Sequence, residues 1–557
     1  MTDVILVAAD CVDIQRMPQR TLIRGGTVYD GSGERPRRAD VMIHGVRIED
    51  VGVFPDAKAR DVIDAEGLAV SPGFIDVHTH TDFLLASPAH VDSLESWARQ
   101  GVTTIVAGNC GFSPAPMQAG RQRDISAYWN FALPHDGLDY TWTTMAEFFE
   151  HLEQIGQAYN VAILTGQNVL RNNAMGFEAR GARPDEVEQM KQQLRESLAA
   201  GSIGLSLGLF YCPAIYSDTD EVRQLASVLR EFGAPLVPHT RGLSTTYDDA
   251  IAEVIGVAEE HGVPLHLSHH AGGSGNVRSR VAQLIGEARD RGVPIGHDNI
   301  PWASGPTTVL ALLPPRLFDG GVDAALARLA DPLERPSIVD EIETAVPTWP
   351  PWKHGWWTDK FLSFASHYGG FRREENLRFS GRSMHEIGEE LGKHPYDALF
   401  DLLVEEDGGL FMIGGTFDAP AGDEIVAAQL ADPQCCVMTD IVGADFDHGN
   451  PVACGAFPKV LGQMARDRGV ISQQEAVRRM TSLPAREMQL EDRGVLRPGA
   501  FADVTIFDAE RIANRASFAD PDLAPVGIEH VLVNGVPVFD GRDYRRDALA
   551  GQVLRRS

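Results

Sequence analysis

Pro72-Gly73-Phe74-Ile75-Asp76-Val77-His78-Thr79-His80 is the stretch on which the reading of this chain turns. An apolar run, Gly73 to Val77, ends in two histidines one residue apart. In a strand, residues i and i+2 share a face, so His78 and His80 project together from the C-terminal end of a buried strand. Neutral imidazole is the commonest metal ligand, and two ligands on a rigid element need little ordering when a metal binds. A lone histidine is usually structural; a His-x-His closing an apolar strand points to a metal site.

Working outward, the same arrangement recurs four times. Cys110 follows the apolar strand Val102 to Val106 in Ala107-Gly108-Asn109-Cys110-Gly111. His239 ends Pro235-Leu236-Val237-Pro238-His239, His269 follows Leu265-His266-Leu267-Ser268, and Asp440 ends Cys436-Val437-Met438-Thr439-Asp440. Each could be an ordinary core residue alone, but five such strand ends in chain order make a donor set of His, Cys and Asp that suits zinc. His266, mid-strand and at odd spacing from His269, is expected to face the other way. His270 is expected on the substrate side or behind the ligands, and His297, before Asp298 at another strand end, in a similar outer role.

Between these positions strand and helix alternate. Strands are expected at Ala234 to His239, Val263 to His269 and Val293 to Asn299, with helices over Asp248 to His261 and Val277 to Arg291. Gly262 and Gly292 stand where helix C-caps belong. Val187, Met190, Leu194 and Leu198 recur at helical spacing and stop at Gly201. Repeated βα units predict a parallel sheet with helices outside: α/β class, a (β/α)8 TIM barrel, with the candidate ligands at the strand ends where barrel chemistry sits. Both termini have another texture. Thr21 to Arg24, Asp40 to Ile43, Ala502 to Phe507 and Val531 to Val538 read as short strands, with Asn534-Gly535 a hairpin turn. The expected division is 1–70 and 489–557 as two parts of one small β-sandwich, and 71–488 as the catalytic barrel. An insertion near 316–435 holds the aromatic run Trp349 to Phe361 together with later barrel units.

Composition bounds the function. A chain of 557 residues exceeds one typical core, and 43% hydrophobic content supports a large buried interior. A net charge of −29 argues against nucleic acid and anionic membrane as partners. No apolar run reaches the roughly 18 residues of a membrane span, and Val4 to Ala9 is too short for a secretory signal. Six scattered cysteines do not resemble a disulfide framework, so the cytoplasm is the expected compartment. A small-molecule substrate is the expected partner, and a homo-oligomer is compatible with this composition.

The opening stretch, Pro72 to His80, resembles the signature of the amidohydrolase superfamily. Gly101-Val102-Thr103-Thr104, Gly108-Asn109-Cys110-Gly111-Phe112-Ser113-Pro114, Gly208-Leu209-Phe210-Tyr211, Ser268-His269-His270 and Phe457-Pro458-Lys459-Val460-Leu461-Gly462 resemble its N-acyl-D-amino-acid deacylase branch. So do Met480-Thr481-Ser482-Leu483-Pro484-Ala485, Asp492-Arg493-Gly494, Arg497-Pro498-Gly499 and Ala502-Asp503 near the end. The resemblance spans roughly residues 20 to 557. It implies zinc-dependent cleavage of an N-acyl bond by metal-activated water. A tight metal would sit on Cys110, His239 and His269, and a weaker divalent metal on His78 and His80 with Cys110 shared, Asp440 completing the set. Asp440 would be the proton carrier, and Tyr211 would help hold the oxyanion. Many superfamily members bridge two metals with a carboxylated lysine. Between His80 and His239 the only lysine is Lys191, inside a helix, so Cys110 is the bridging ligand the branch implies.

In two places the chain departs from the branch. The usual α-carboxylate readers are a lysine in a Ser-His-x-Lys pattern and an arginine three residues before the glycine of Gly-x-Phe-Pro. Here those positions are Ala271 and Val452. Neither side chain can donate a hydrogen bond, and an unpaired buried carboxylate costs several kcal/mol. The expected substrate therefore lacks a free α-carboxylate at the usual place and rests on Trp302 or the Trp352 to Phe361 aromatics. Arg241 or an arginine between Val277 and Arg280 is the alternative cation. Two other readings share the fold: a cyclic amide, imide or lactone hydrolase, and a non-enzymatic binding protein, which six intact candidate ligands disfavour.

Overall fold

The computed structural model describes residues 20–134, 137–270, 275–346, 349, 362–415, 419–443 and 449–556. Ala271, the Trp352 to Phe361 aromatics and residues 1–19 of the N-terminal portion lie outside the described residues.

The described residues begin with five strands, β1 (Arg20–Val28), β2 (Arg37–His44), β3 (Arg47–Gly52), β4 (Asp61–Asp64) and β5 (Ala69–Pro72). A parallel series follows: β6 (Phe74–Asp76), β7 (Val102–Ala107), β8 (Asn160–Ile163), β9 (Thr165–Gly166), β10 (Leu205–Gly208), β11 (Leu236–His239), β12 (Leu265–Leu267) and β13 (Ile295–Asn299). Strands β14 (Ser304–Thr308), β15 (His367–Gly369) and β16 (Phe411–Gly415) form a small antiparallel sheet in the order β14-β16-β15. β17 (Cys435–Val437) then pairs in parallel with β13. The C-terminal strands β18 (Val504–Phe507), β19 (Ile528–Val533) and β20 (Val536–Phe539) return to β5, and β21 (Val553–Leu554) pairs with β8.

Three parallel strands, β6-β7-β8, and six more, β9-β10-β11-β12-β13-β17, thus run side by side, β8 and β9 being separated only by Leu164. The segments that follow the last and the first of them are hydrogen-bonded: Asp440 N donates to His78 O (2.9 Å) and His80 N donates to Ile441 O (2.8 Å). Beside them, Thr439 Oγ1 donates to the buried Asp76 carboxylate (2.7 Å), which also accepts from Trp97 Nε1 (2.8 Å). Three helices between strands stand where the sequence placed them, and a fourth, Thr219–Phe232, joins them. Pro184–Ala200, Thr219–Phe232, Tyr247–His261 and Gly275–Asp290 are helical, and Gly262 ends the third in a left-handed turn (φ 64°) that a residue with a Cβ adopts at a cost. Leu205, Leu207, Leu236 and Leu265 of the strands pack on Val222, Leu225, Ile251 and Val254 of the helices, each fully buried leucine contributing about 1.5–3 kcal/mol.

The first and last segments share one eight-stranded sheet, ordered β20-β19-β18-β5-β1-β2-β3 with β4 beside β1. Its own core includes Ile23, Val41, Ile43, Val70, Val504, Ile506 and Leu532. The expected hairpin at Asn534-Gly535 is present, with φ of 48° and 80° joining β19 to β20. One expectation about the middle does not hold. Because β13 pairs directly with β17, the intervening chain contributes no strand to the parallel series among the described residues, and the later barrel units expected inside 316–435 are absent. Instead that chain builds the β14-β16-β15 sheet over the strand ends.

Candidate active site

His239 at the end of β11, and the turns after β6, β7, β12 and β17, bring all six expected residues to one place. Cys110 Sγ lies 3.4 Å from His78 Nε2, 3.5 Å from His239 Nδ1 and 3.5 Å from His269 Nε2. Asp440 Oδ1 lies 3.3 Å from His78 Nε2 and 3.1 Å from His80 Nε2. Two donor groups result, His78–His80–Cys110–Asp440 and Cys110–His239–His269, each with its atoms within 4.8 Å of one another. Zinc bond lengths of about 2.3 Å to sulfur and about 2.05 Å to nitrogen, at the tetrahedral angle, set N···S edges of about 3.5 Å and N···O edges of about 3.4 Å. The observed separations fit those edges, so the donors stand where ligands to zinc would stand.

The backbone is bent to achieve this. Cys110, His269 and Asp440 take positive φ values of 51°, 35° and 58°. Such conformations in residues with a Cβ cost of order 1–3 kcal/mol and are retained where surrounding structure enforces them. At Cys110 the neighbours explain the Gly-Asn-Cys-Gly sequence: a Cβ on Gly111 would lie 2.5 Å from Gly208 N, and one on Gly208 would lie 2.1 Å from Cys110 O.

Electrostatics follow from burial and proximity. Burial alone would raise the Cys110 thiol, but the facing His78 and His239 imidazoles outweigh it and hold the thiol well below its usual range. Burial would likewise lower His78 and His80. Asp298, Cys110 and Asp440 outweigh it for His78, and Asp440 and Asp82 for His80, so both retain protons more firmly than a free imidazole. Asp440 is pushed up by burial but held well below the carboxylate range by His78 and His80. Burial raises Tyr211 well above the ordinary phenol, keeping its O–H as a donor.

Above the donors is a cavity of about 640 Å³. Its walls include His80, Tyr211, Asp440, Trp129, Phe131 and Trp302, roofed by β14 and β16 residues such as Pro306, Thr307 and Met412. Tyr211 Oη is 3.5 Å from Thr307 Oγ1, and its ring meets His239 edge-on at 4.7 Å. Trp302 lines the cavity with Lys459 Nζ 4.2 Å over its ring, and Lys459 is paired to Asp423 at 3.1 Å. Among the described lining residues Arg278, exposed, is the only lysine or arginine.

Other expected substrate contacts are placed elsewhere. Arg241 is buried with its Nε 3.0 Å from Glu253 and does not line the cavity. Val452 is buried at the start of a helix, also off the cavity wall. His270 donates its backbone N–H to Asp298 O, and its Nδ1 is 2.6 Å from Tyr247 Oη. Burial, followed by the charge of His297, pushes it down to about 3. Lys191 is paired with Glu188 on the surface of its helix, as its sequence position suggested. His266 does not face away. Its strand ends at Leu267, and His269 lies beyond it in a left-handed turn, so strand alternation does not relate the two. His266 instead points at Asp298 from inside the sheet, at 3.1 Å. Asp298 and Asp82 were not singled out from the sequence. Their signal was an acidic residue directly after a histidine near the end of a strand, and one two residues past the His-x-His.

The amidohydrolase family profile matches residues 61–539. The chain is 31% identical to D-aminoacylase of Alcaligenes xylosoxydans xylosoxydans, covering 97% of this chain and 98% of that one. It is 32% identical to N-acyl-D-glutamate deacylase of the same organism, covering 95% and 96%. The structure superposes with a TM-score of 0.76, at 29% identity and covering 97% and 100%, on N-acyl-D-glutamate deacylase from Bordetella bronchiseptica, solved with zinc and a phosphonate mimic of the tetrahedral intermediate. The chain belongs to the amidohydrolase family.

Proposed function

We propose that this protein is a zinc-dependent hydrolase of N-acyl amide bonds whose preferred substrate lacks a free α-carboxylate at the place its relatives' substrates carry one. The observation that carries the reaction is the convergence of six donors, with Cys110 shared between two groups at zinc-like spacing. We read the two parallel runs as one closed (β/α)8 barrel, supported by the hydrogen bonds between the segments that follow β6 and β17. The eight-stranded sheet from both termini is the small β-sandwich, with the division at about residues 70 and 489 and a cavity-covering insertion between β13 and β17.

Cys110, His239 and His269 would hold the tighter metal, and His78, His80 and Asp440, with Cys110, would hold a weaker one. Zinc in this place supplies a Lewis acid for the acyl carbonyl and lowers the pKa of a water from about 15.7 to about 7. Asp440 Oδ1 faces His78 and His80, which leaves Oδ2 to accept the water's proton and pass it to the leaving nitrogen. The Tyr211 hydroxyl, protonated and on the cavity wall, donates to the oxygen as it gains charge.

The carboxylate argument rests on what stands at the two usual cation positions, Ala271 and Val452, and on Arg241 and Lys459 being committed to Glu253 and Asp423. The cavity offers instead Trp129, Phe131 and Trp302 as surfaces for an apolar group. Five free cysteines among the described residues, one of them needed as a thiolate, suit a reducing cytoplasm. Among the described residues no helix is long and apolar enough to cross a membrane. The test is a panel of N-acyl amines, N-acyl amino acids and cyclic amides assayed with zinc-replete and chelator-stripped protein. Cleavage of open-chain N-acyl amides that disappears on stripping supports the proposal; cleavage confined to cyclic amides or lactones moves the chain to the other hydrolase class.

A further inference from the structure

We propose that Asp298 is a positioning residue that sets two of the candidate zinc ligands at once; the inference rests on the metal reading above. Asp298 is fully buried at the end of β13. Its Oδ2 lies 3.2 Å from His78 Nδ1 and 3.1 Å from His266 Nε2, and its Oδ1 accepts the backbone N–H of His269. An ionised carboxylate only accepts hydrogen bonds, so each nitrogen that faces it must carry a proton. That keeps a proton on His78 Nδ1 and leaves Nε2, which faces Cys110 Sγ and Asp440 Oδ1, as the nitrogen that would give up its proton to a metal.

The second bond acts on backbone rather than on a ring. His269 has a φ of 35°. Its N–H is held by the Asp298 side chain, while the next N–H, of His270, donates to Asp298 O at 2.9 Å. The turn that presents His269 to Cys110 is therefore tied at two successive amides to a single residue of the neighbouring strand. One carboxylate thus serves a ligand from each donor group.

The carboxylate is itself held from below. His266 Nδ1 lies 3.8 Å from Glu487 Oε2, so the line His78–Asp298–His266–Glu487 descends between the strands. Gly296 shares the strand face of Asp298, and a Cβ there would lie 2.0 Å from Glu487 Oε2. The missing side chain is what lets Glu487 reach under His266.

The test is Asp298→Asn. An amide offers one acceptor oxygen where three N–H groups need acceptors, so at least one of them meets an NH2 group. His78 can relieve that clash by moving its proton to Nε2, which removes the lone pair a metal needs. Zinc alone, titrated into metal-free protein against a competing chelator, should bind about 10- to 100-fold more weakly to the variant. Cobalt, as a spectroscopic probe, should show an altered ligand-field spectrum. At saturating zinc, kcat should recover and KM should be close to wild type. If the variant does not fold, wild-type protein carrying 15N-histidine gives the answer by NMR. A solvent-protected Nδ1–H on His78, assigned by its loss in His78→Gln, supports the proposal, and a proton on Nε2 alone overturns it. Unchanged zinc affinity in folded Asp298→Asn overturns the proposal and leaves the metal reading standing. Wild-type protein that binds no zinc overturns the metal reading and this inference with it.

Discussion

Removing the Cys110 sulfur is the perturbation whose size follows most directly from the geometry. Sγ lies within 3.5 Å of an imidazole nitrogen from each of three histidines and belongs to both donor groups. Cys110→Ala leaves two protein donors, His239 and His269, in one group and three in the other. Zinc held by four protein ligands is bound with roughly 10–16 kcal/mol in small domains, so one ligand accounts for about 3 kcal/mol, or about 10²-fold in affinity. Because both groups lose the same atom, the variant dialysed against a mild chelator should retain little zinc by elemental analysis. The backbone supplies an internal control. Cys110 sits at φ 51°, a conformation as strained for alanine as for cysteine but free for glycine. Metal-free Cys110→Gly should therefore melt higher than metal-free Cys110→Ala, by about 1 kcal/mol, and should lose zinc equally. Full zinc content in either variant would mean that the sulfur only fills space, and the assignment of a shared ligand would fail.

Asp440→Asn keeps the shape of the carboxylate but not its basicity. Its kcat should fall by about 10²-fold or more while most zinc stays bound; near-normal turnover would assign the proton carrier elsewhere. Tyr211→Phe should lower kcat by about 10²-fold with a smaller effect on KM, checked by steady-state kinetics on one N-acyl substrate. His78 and His80 hold protons above the usual imidazole range in the metal-free protein, so metal must displace them. Zinc affinity should then rise with pH through the neutral region and weaken as pH falls, with acid released into unbuffered solution on zinc addition. Asp76→Ala should cost about 3 kcal/mol in unfolding measurements, because it strands two buried donors, the Thr439 hydroxyl just after β17 and the Trp97 indole N–H.

The candidate site was legible because each of its six residues closes or follows a short apolar run, and strand ends in a βα series meet at one end of the sheet. The hairpin at Asn534-Gly535 and the helix ends at Gly201 and Gly262 were legible for the same reason: local chemistry decides them. What lay beyond the sequence was pairing across distance. Arg241 was a free cation on paper, but Glu253, twelve residues on and one helix away, claims it. His266 was turned outward by counting alternation through Ser268 into a turn where alternation does not apply. Asp298 drew no attention because its three partners come from β12, the turn that follows it and the distant turn after β6. The insertion between β13 and β17 was misjudged because its aromatic composition carries no period that separates a covering sheet from further barrel units.

The central claim is amide hydrolysis directed at a substrate without the usual free carboxylate. The measurement that tests it most directly is kcat/KM of zinc-loaded protein for matched pairs of N-acetyl-D-amino acids and their carboxamides. With Ala271 and Val452 at the sequence positions of the two usual cations, a free carboxylate finds neither partner, at a cost of several kcal/mol, so the account predicts a preference of about 10²-fold or more for the carboxamides. A clear preference for the free acids would contradict it and would hand carboxylate recognition to Arg278, the one lysine or arginine on the described cavity wall.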